Sequence, residues 1–362
     1  MLIRSMVVRA LGAMAFLAAL APAADAQAIR GQVWAADGAT TAGLRVTTHA
    51  GAWSDTASTD AEGRFAVSLP DTIRGDSVRV VVDAAETAAR VFHPSVASLA
   101  RGEWDEEVRV VLLPRRWTIR AGTHAGEIVE VSARRGFAPT CRECSSGFFR
   151  RGVPSRISAR VSTVPAWRPG SFPLRVAFDH GYSSERISAR DSAAFWREVA
   201  ELERDLGEHL FRPARFSETD PVDDAPEDLV LVWVERGLRS AGLGSVAYSG
   251  GDIGYGSVRL DDALAFTRPG APGLIAHEMV HTLGIGHTCS WYSVVADVSR
   301  CPERRAPSAT PEDVAYIQVH LTMGALQRAH GARWGLDAAL RGEEEVESSP
   351  RPNTTLVRSA AQ

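Results

Sequence analysis

The feature that most constrains this chain is a cluster of three histidines in the segment LIAHEMVHTLGIGH, residues 274–287. His277 and His281 are four residues apart, so a helix would place both imidazoles on one face, one turn apart. Gly284 follows, and glycine allows the positive φ angle with which a helix ends and the chain reverses. His287 can then return to the same face. The spacing predicts a helix, a sharp turn and three imidazoles around one point.

Three converging imidazoles are typical of a catalytic zinc site. Zinc in such sites takes three protein ligands and leaves a fourth position open for water or substrate. Glu278 follows His277 directly, and there a carboxylate can accept a proton from water without binding the ion. The alternative is a surface helix that carries histidines and holds no metal. The full eleven-residue spacing, from the first histidine to the third, favours the zinc site.

The motif HEMVHTLGIGH matches H-E-x-x-H-x-x-G-x-x-H, and the chain here resembles the metzincin zinc peptidases. The resemblance implies Zn²⁺ bound by His277, His281 and His287, with Glu278 as general base in peptide-bond hydrolysis. It implies an α+β catalytic domain with a twisted sheet, a helix across it, an edge strand near the cleft, the metal-binding helix and a C-terminal helix. The segments FWREVAELERDL, DLVLVWVE, SVRLDD and LIAHEMVH follow in that order, and TPEDVAYIQ is similar to the closing helix of the matrixin branch.

Two helices flank the motif in this prediction. The segment FWREVAELERDL has apolar residues at spacings of three and four, which predicts an amphipathic helix with Asp191 or Ser192 as its N-cap. The second helix begins near Thr310, which is placed to cap it. Pro311 suits the first helical position, and Asp313 can reach back to the cap.

One position departs from the family. The matrixin pattern has a methionine eight residues after the third ligand, where this chain has Val295. Met323 is the only later methionine, and it falls within the closing helix. The apolar side chain of Val295 can fill the same space, because that methionine acts by packing. The departure bears on the stability of the site and on how tightly it holds its metal.

The substrate is expected to be a protein or peptide. The strand near Ser257–Leu260 is predicted to be an edge strand that pairs with an extended peptide and holds it across the zinc. Tyr248 and Tyr292 could each donate a hydrogen bond to the oxyanion. An ordinary core or surface role is the alternative for both tyrosines, so neither belongs to the predicted catalytic set.

Residues 1–26 have the organisation of a signal peptide. Arg4 and Arg9 give a positive start, and ALGAMAFLAALAPAA is an apolar run too short to span a bilayer comfortably. The segment ADA offers small residues for cleavage after Ala26. A membrane anchor is the alternative. The mature chain is predicted to be exported, to the periplasm or the extracellular space, with no transmembrane anchor once this segment is removed.

Residues 27–113 have the pattern of a small β-sandwich. Apolar and polar residues alternate in segments such as GRFAVSL, with turn segments between them. The run GQVWAADGATTAGLRVTT is similar to the carboxypeptidase regulatory-like family, which implies an accessory module without catalytic residues. A generic β domain with a structural role is the alternative. The predicted fold class is multi-domain, with an N-terminal all-β sandwich followed by an α+β metzincin-like catalytic domain.

The rest of the chain divides into three segments. Residues 114–170 are a predicted connector that contains a CxxC motif, and residues 171–335 are the predicted zinc peptidase domain. Residues 336–362 are charged and then polar, which predicts a disordered tail.

Four cysteines in an exported chain predict two disulfides. Pairing between near neighbours is preferred, while the other two connectivities, and a redox or metal role for the CxxC, stay open. The preferred pairs are Cys141–Cys144 and Cys289–Cys301.

Composition limits the partners. The formal net charge of −4 gives no reason to expect nucleic acid. Asp252, Asp261 and Asp262 are candidates for a structural Ca²⁺ site, with solvated loop acids as the alternative.

The competing function is a catalytically idle or latent zinc domain that serves as an extracellular binding or adhesion module. The presence of Glu278 argues against that function, and Val295 argues for it.

Overall fold

The computed structural model describes residues 27–73, 77–83, 92–93, 95–131, 166–168, 170–215, 228–238, 240–249, 252–262, 266, 273–287, 292–296 and 305–331. Over these residues the protein is a mixed α/β protein with several β-sheets and three α-helices. The predicted signal peptide, the four cysteines and the predicted tail lie outside the described residues. Within the described part, no helix is long and apolar enough to cross a membrane.

The N-terminal part is built from strands and one short 3₁₀ turn. In the fourth strand, Phe65 and Val67 point inward while Arg64, Ala66 and Ser68 face solvent, which is the alternation that the sequence shows. The strands are β1 (Ala28–Ala35), β2 (Arg45–Ala50), β3 (Trp53–Ser58), β4 (Arg64–Ser68), β5 (Ser77–Asp83), β6 (Ser95–Ala100) and β7 (Val108–Leu112).

These strands form two sheets with a shared hydrophobic core. One has the order β4–β1–β7, with β1 antiparallel to β4 and parallel to β7. The other has the order β3–β2–β5–β6 and is antiparallel throughout. Ile29 and Val33 of the first sheet and Val46 and Val80 of the second lie in the same buried cluster. The cluster therefore joins the two sheets into one unit.

A short hairpin and a six-stranded sheet follow. The hairpin is β8 (Arg116–Thr118) with β9 (Ile128–Glu130). The sheet contains β10 (Ala166–Trp167), β11 (Leu174–Phe178), β12 (Phe211–Pro213), β13 (Leu229–Val234), β14 (Gly242–Ser249) and β15 (Asp252–Leu260). From β12 the order runs through β11, β13 and β15 to β14, and β10 pairs with the start of β15. β14 is antiparallel to β15, and the other pairings in the sheet are parallel.

The prediction that Ser257–Leu260 forms an edge strand is wrong. Ser257–Leu260 lies in β15, which pairs with β13 on one side and with β14 on the other. β14 is the outer strand, because within the described residues it pairs with β15 alone. The glycine-rich residues before β15 thus form a strand of their own and take the edge position.

Three helices complete this part: α1 (Ala189–Leu206), α2 (Leu274–Thr282) and α3 (Pro311–His330). The N-cap of α1 is Ser188, which corrects the prediction of Asp191 or Ser192. Asp191 occupies the third helical position and accepts the Ser188 N–H, so the two residues form a capping box. For α3 the prediction is confirmed, since Thr310 is the N-cap and Pro311 and Asp313 have the expected places.

One hydrophobic core lies between the sheet and the helices. Its members come from β11 and β13, from all three helices, and also from β7 and the β8–β9 hairpin; they include Leu113, Trp117, Val176, Phe195, Val232, Met279 and Val314. The N-terminal strands and the hairpin therefore pack directly on the part of the molecule that carries the three histidines.

Candidate metal centre

The first turn of α2 is held by a carboxylate from another helix. The N-cap is Gly273, which has no side chain to satisfy the free N–H groups of the first turn. Glu198 of α1 takes that role, since its Oε2 accepts the Ile275 N–H at 3.0 Å. Burial raises the pKa of Glu198, while the backbone N–H groups of Ile275 and Ala276 oppose this effect. This contact fixes the position of α2 relative to α1.

The last turn of α2 is held in the same way. The indole N–H of Trp167 donates to the Thr282 carbonyl at 2.7 Å. The Nε2 atom of His320, from α3, lies 3.0 Å from the Leu283 carbonyl. Gly284 has φ 90°, so the predicted reversal of the chain at this glycine is confirmed. Both ends of the nine-residue helix therefore depend on side chains from elsewhere in the fold.

The reversal brings the three predicted histidines together. The Nε2 atoms of His277, His281 and His287 form a triangle with 3.1 Å on each side. Two nitrogens bound about 2.05 Å from a tetrahedral zinc ion lie about 3.3 Å apart, so the triangle has the dimensions of three zinc ligands. Among the described residues, these three histidines are the one cluster of His, Cys, Asp or Glu side chains that is spaced closely enough to hold a metal ion.

Hydrogen bonds orient two of the three imidazoles. The Nδ1 atom of His277 lies 2.8 Å from the Val294 carbonyl, and that of His281 lies 2.7 Å from the Ile285 carbonyl. A carbonyl only accepts, so each Nδ1 carries the proton and each Nε2 presents a lone pair. Burial, with the nearby imidazole of His281, holds the pKa of His277 well below 6.5. The lone pairs of His277 and His281 point to one place and suit a bound cation, and imidazole is a ligand that zinc prefers.

A tight turn supports the imidazole of His277. Its accepting carbonyl belongs to Val294, whose N–H donates to Asp313 Oδ2 at 2.9 Å. The same buried carboxylate accepts from the Ser293 hydroxyl and from the Thr310 N–H at 3.0 Å. The sequence indicates Asp313 only as part of a helix cap. Its second role, which links α3 to His277 through Val294, carries no local signal.

Val295 lies in the same turn. Its side chain is buried in the core that α2 and α3 share. Its N–H donates to the Ser293 hydroxyl at 3.0 Å. The triangle of imidazoles is formed with valine at this position, and the valine side chain is buried in the core.

Glu278 projects from α2 toward the edge strand. The residue is 3% exposed, and its Oε2 accepts the Gly244 N–H at 2.5 Å. Burial raises the pKa of Glu278 to about 7, although the Gly244 N–H and the charge of Arg305 act in the opposite direction. A carboxyl group with such a pKa can both accept and release a proton near neutral pH.

Other candidate residues are not gathered at this centre. Asp252 and Asp261 stand at opposite ends of β15, about 30 Å apart at the usual rise of a strand, and cannot ligate one calcium ion together. Asp252 pairs with Arg328 at 2.9 Å, and Asp261 accepts the Gly237 N–H. The ring of Tyr292 is half-exposed beside the turn. The side chain of Tyr248 lies outside the described part of the chain.

No family model matches this chain, and no curated protein matches it either.

Proposed function

We propose that this chain is an exported zinc-dependent endopeptidase of the metzincin type. The triangle of imidazole nitrogens carries the proposal, because its dimensions and the lone pairs of His277 and His281 suit a zinc ion. Glu278 supports it, since a buried carboxyl group lies on the same helix as two of the three ligands. The sequence resemblance to metzincins agrees with this arrangement.

The proposed chemistry uses few groups. A zinc ion held by the three histidines would polarise a water molecule and the carbonyl of the scissile peptide bond. Glu278 takes the proton of the attacking water and passes it to the leaving amine. Its pKa of about 7 suits both steps. The hydrogen bonds from His277 and His281 to backbone carbonyls keep their other nitrogens deprotonated for the ion.

We propose that the peptide substrate binds along β14, and not along β15 as the sequence predicts. The outer side of β14 is the one on which an extended peptide could add as a further strand. β14 also contacts Glu278 through the Gly244 N–H, so a peptide paired there lies beside the base. We therefore assign peptide binding to this edge, and residues 171–335 to the peptidase domain. Residues 27–113 serve as an accessory β module.

The test is digestion of an unfolded protein by residues 27–362, with and without a zinc chelator. We expect the chelator to stop cleavage and added zinc to restore it. Glu278→Ala should bind zinc and cleave at least about 100-fold more slowly, because general acid–base catalysis contributes that much. Glu62→Ala, on an exposed N-terminal turn, is the control and should cleave normally.

Two results would contradict the proposal. Cleavage that survives the chelator would mean that zinc is not involved. Stoichiometric zinc without any cleavage would favour the alternative, an idle zinc domain that serves as a binding module.

A further inference from the structure

The edge strand touches the metal-binding helix through two glycines. Gly242 and Gly244 alternate along β14, so both turn the same face toward α2. A Cβ atom on Gly242 would lie 2.6 Å from Glu278 Oε1. A Cβ atom on Gly244 would lie 2.8 Å from the Cβ of His281 and even closer to the Glu278 backbone carbonyl. Only glycine permits this approach at either position.

The approach gives Glu278 a fixed partner. With no side chain in between, the Gly244 N–H reaches Glu278 Oε2 at 2.5 Å. A hydrogen bond from a backbone N–H to a carboxylate is of the strong, charge-assisted kind. It holds one oxygen of the carboxylate, while the other lies beside Gly242, where the missing side chain leaves room for it.

We propose that Gly242 and Gly244 are positioning residues for Glu278: together they hold one carboxylate oxygen so that the other faces the reacting water. The inference rests on the proposed peptidase function and names what sets the geometry of its base. Neither glycine touches the reacting atoms, and both act through Glu278.

The two glycines differ in what a substitution would displace. At Gly242 the nearest atoms are the end of the Glu278 side chain, which can rotate away. Alanine there moves the carboxylate and leaves the strand and the helix in place. At Gly244 the nearest atom belongs to the helix backbone, so alanine would force the strand and the helix apart. Gly242→Ala is therefore the informative variant.

The first experiment compares Gly242→Ala with Gly254→Ala, a matched change on the neighbouring strand where a Cβ atom meets nothing within 4 Å. We expect Gly242→Ala to bind zinc as tightly as the unchanged chain, with KM preserved and kcat lower by about 100-fold. Gly254→Ala should keep both constants. Unchanged kcat in Gly242→Ala, or a weaker zinc affinity that explains its loss, would overturn the inference.

The second experiment needs no activity and uses the metal-free chain. We expect Gly242→Ala to lower Tm by roughly 5 °C, as overpacking of a buried contact does, and to lower it hardly at all when Glu278→Ala is also present. An equal fall in both backgrounds would show that the glycine does not act through Glu278. If the unchanged chain cleaves nothing, the proposed function fails. The comparison of Gly242→Ala with and without Glu278→Ala still decides whether Gly242 positions Glu278.

Discussion

Glu278 carries a carboxyl group that is almost fully buried, and burial raises its pKa from 4.5 to about 7. At pH 8 the group is ionised in both the folded and the unfolded chain, and the folded chain bears the cost of desolvating the charge. Below pH 4.5 the group is neutral in both states and the cost disappears. A group retained at such a cost is what a catalytic role for Glu278 predicts.

We predict that Glu278→Gln stabilises the metal-free chain at pH 8 by about 3 kcal/mol, because a rise in pKa from 4.5 to about 7 corresponds to a free energy of that order. Glutamine keeps an oxygen that can accept the Gly244 N–H. The gain should shrink to about 1 kcal/mol at pH 5.5, where the folded carboxyl group is mostly protonated. Urea denaturation at the two pH values measures it. A Gln variant less stable than the unchanged chain at pH 8 would refute the explanation.

Asp313 acts on His277 through the backbone of Val294. We predict that Asp313→Asn weakens zinc binding by about 10- to 100-fold, because the turn that orients His277 loses an acceptor. Asp191→Asn is the matched control, since Asp191 closes the same kind of capping box on α1. Competition with a chelator measures the affinity of both variants. Equal losses in the two variants would show that the effect is general destabilisation.

The sequence predicts the convergence of the three histidines, because their spacing on one helix and one turn is local information. It does not predict the partners of these residues. Gly244 lies 34 residues from Glu278, and Asp313 lies 19 residues from Val294. Contacts at such separations follow from how the sheet and the helices pack, and no short pattern specifies them.

At the scale of elements, α2 is a helix that cannot be stable alone. It has nine residues, all of them buried, and an isolated helix shorter than about 12 residues is marginal in water. Its ends are held by Glu198, Trp167 and His320, which come from three different elements. The arrangement of the three imidazoles therefore depends on the packing of the whole sheet and its helices.

We predict that Trp167→Phe destabilises the chain by about 1–3 kcal/mol, because the buried Thr282 carbonyl loses its donor while the aromatic ring is kept. Trp196→Phe, on the half-buried side of α1, is the control and should cost less than about 1 kcal/mol. The free energy of unfolding in urea compares them. Equal costs would mean that loss of indole volume, and not of the hydrogen bond, is what matters.

The sequence predicts the helices better than the sheet edge. Apolar spacing and caps predict α1 and α3 to within a few residues. The N-cap Ser188 is missed because Asp191 and Ser192, which follow it, are also residues that commonly cap helices. β14 is missed because glycines are poor strand formers. Gly242 and Gly244 are nevertheless required there, since the strand touches α2 at these positions.

At the scale of the whole molecule, Gln318 connects α3 to the β8–β9 hairpin and to the end of α1. Its Oε1 accepts the indole N–H of Trp117 at 3.0 Å and the backbone N–H of Arg120 at 3.1 Å. Its Nε2 donates to the Leu206 carbonyl at the end of α1. At the far end of α3, His330 stacks on Trp34 with 4.6 Å between ring centroids. The β8–β9 hairpin thus contacts α3 at Gln318, and the N-terminal strands contact it at His330.

We predict that the described parts of the chain unfold in one cooperative transition, and that Gln318→Ala lowers its Tm by about 5–10 °C through buried groups left without partners. Gln32→Ala, whose side chain bonds on an exposed surface, should leave Tm unchanged. Calorimetry measures both. Two separate transitions, with only one of them raised by zinc, would show that the N-terminal strands fold independently.

The sequence does not reveal this docking. The strands at the N-terminus and the helices at the C-terminus can each be predicted from local patterns. Trp117 and Gln318 are 201 residues apart, and each reads as an ordinary core or helix residue until the fold brings them together.

The zinc content of purified residues 27–362 tests the central claim most directly. We expect one zinc ion per chain in the unchanged protein and in Glu278→Gln, which keeps all three ligands. Loss of the ion is expected in His281→Ala, because two imidazoles are too few for a stable site. A chain that binds no zinc, or a His281→Ala variant that keeps it with the same affinity, would contradict the assignment of the three histidines as its ligands.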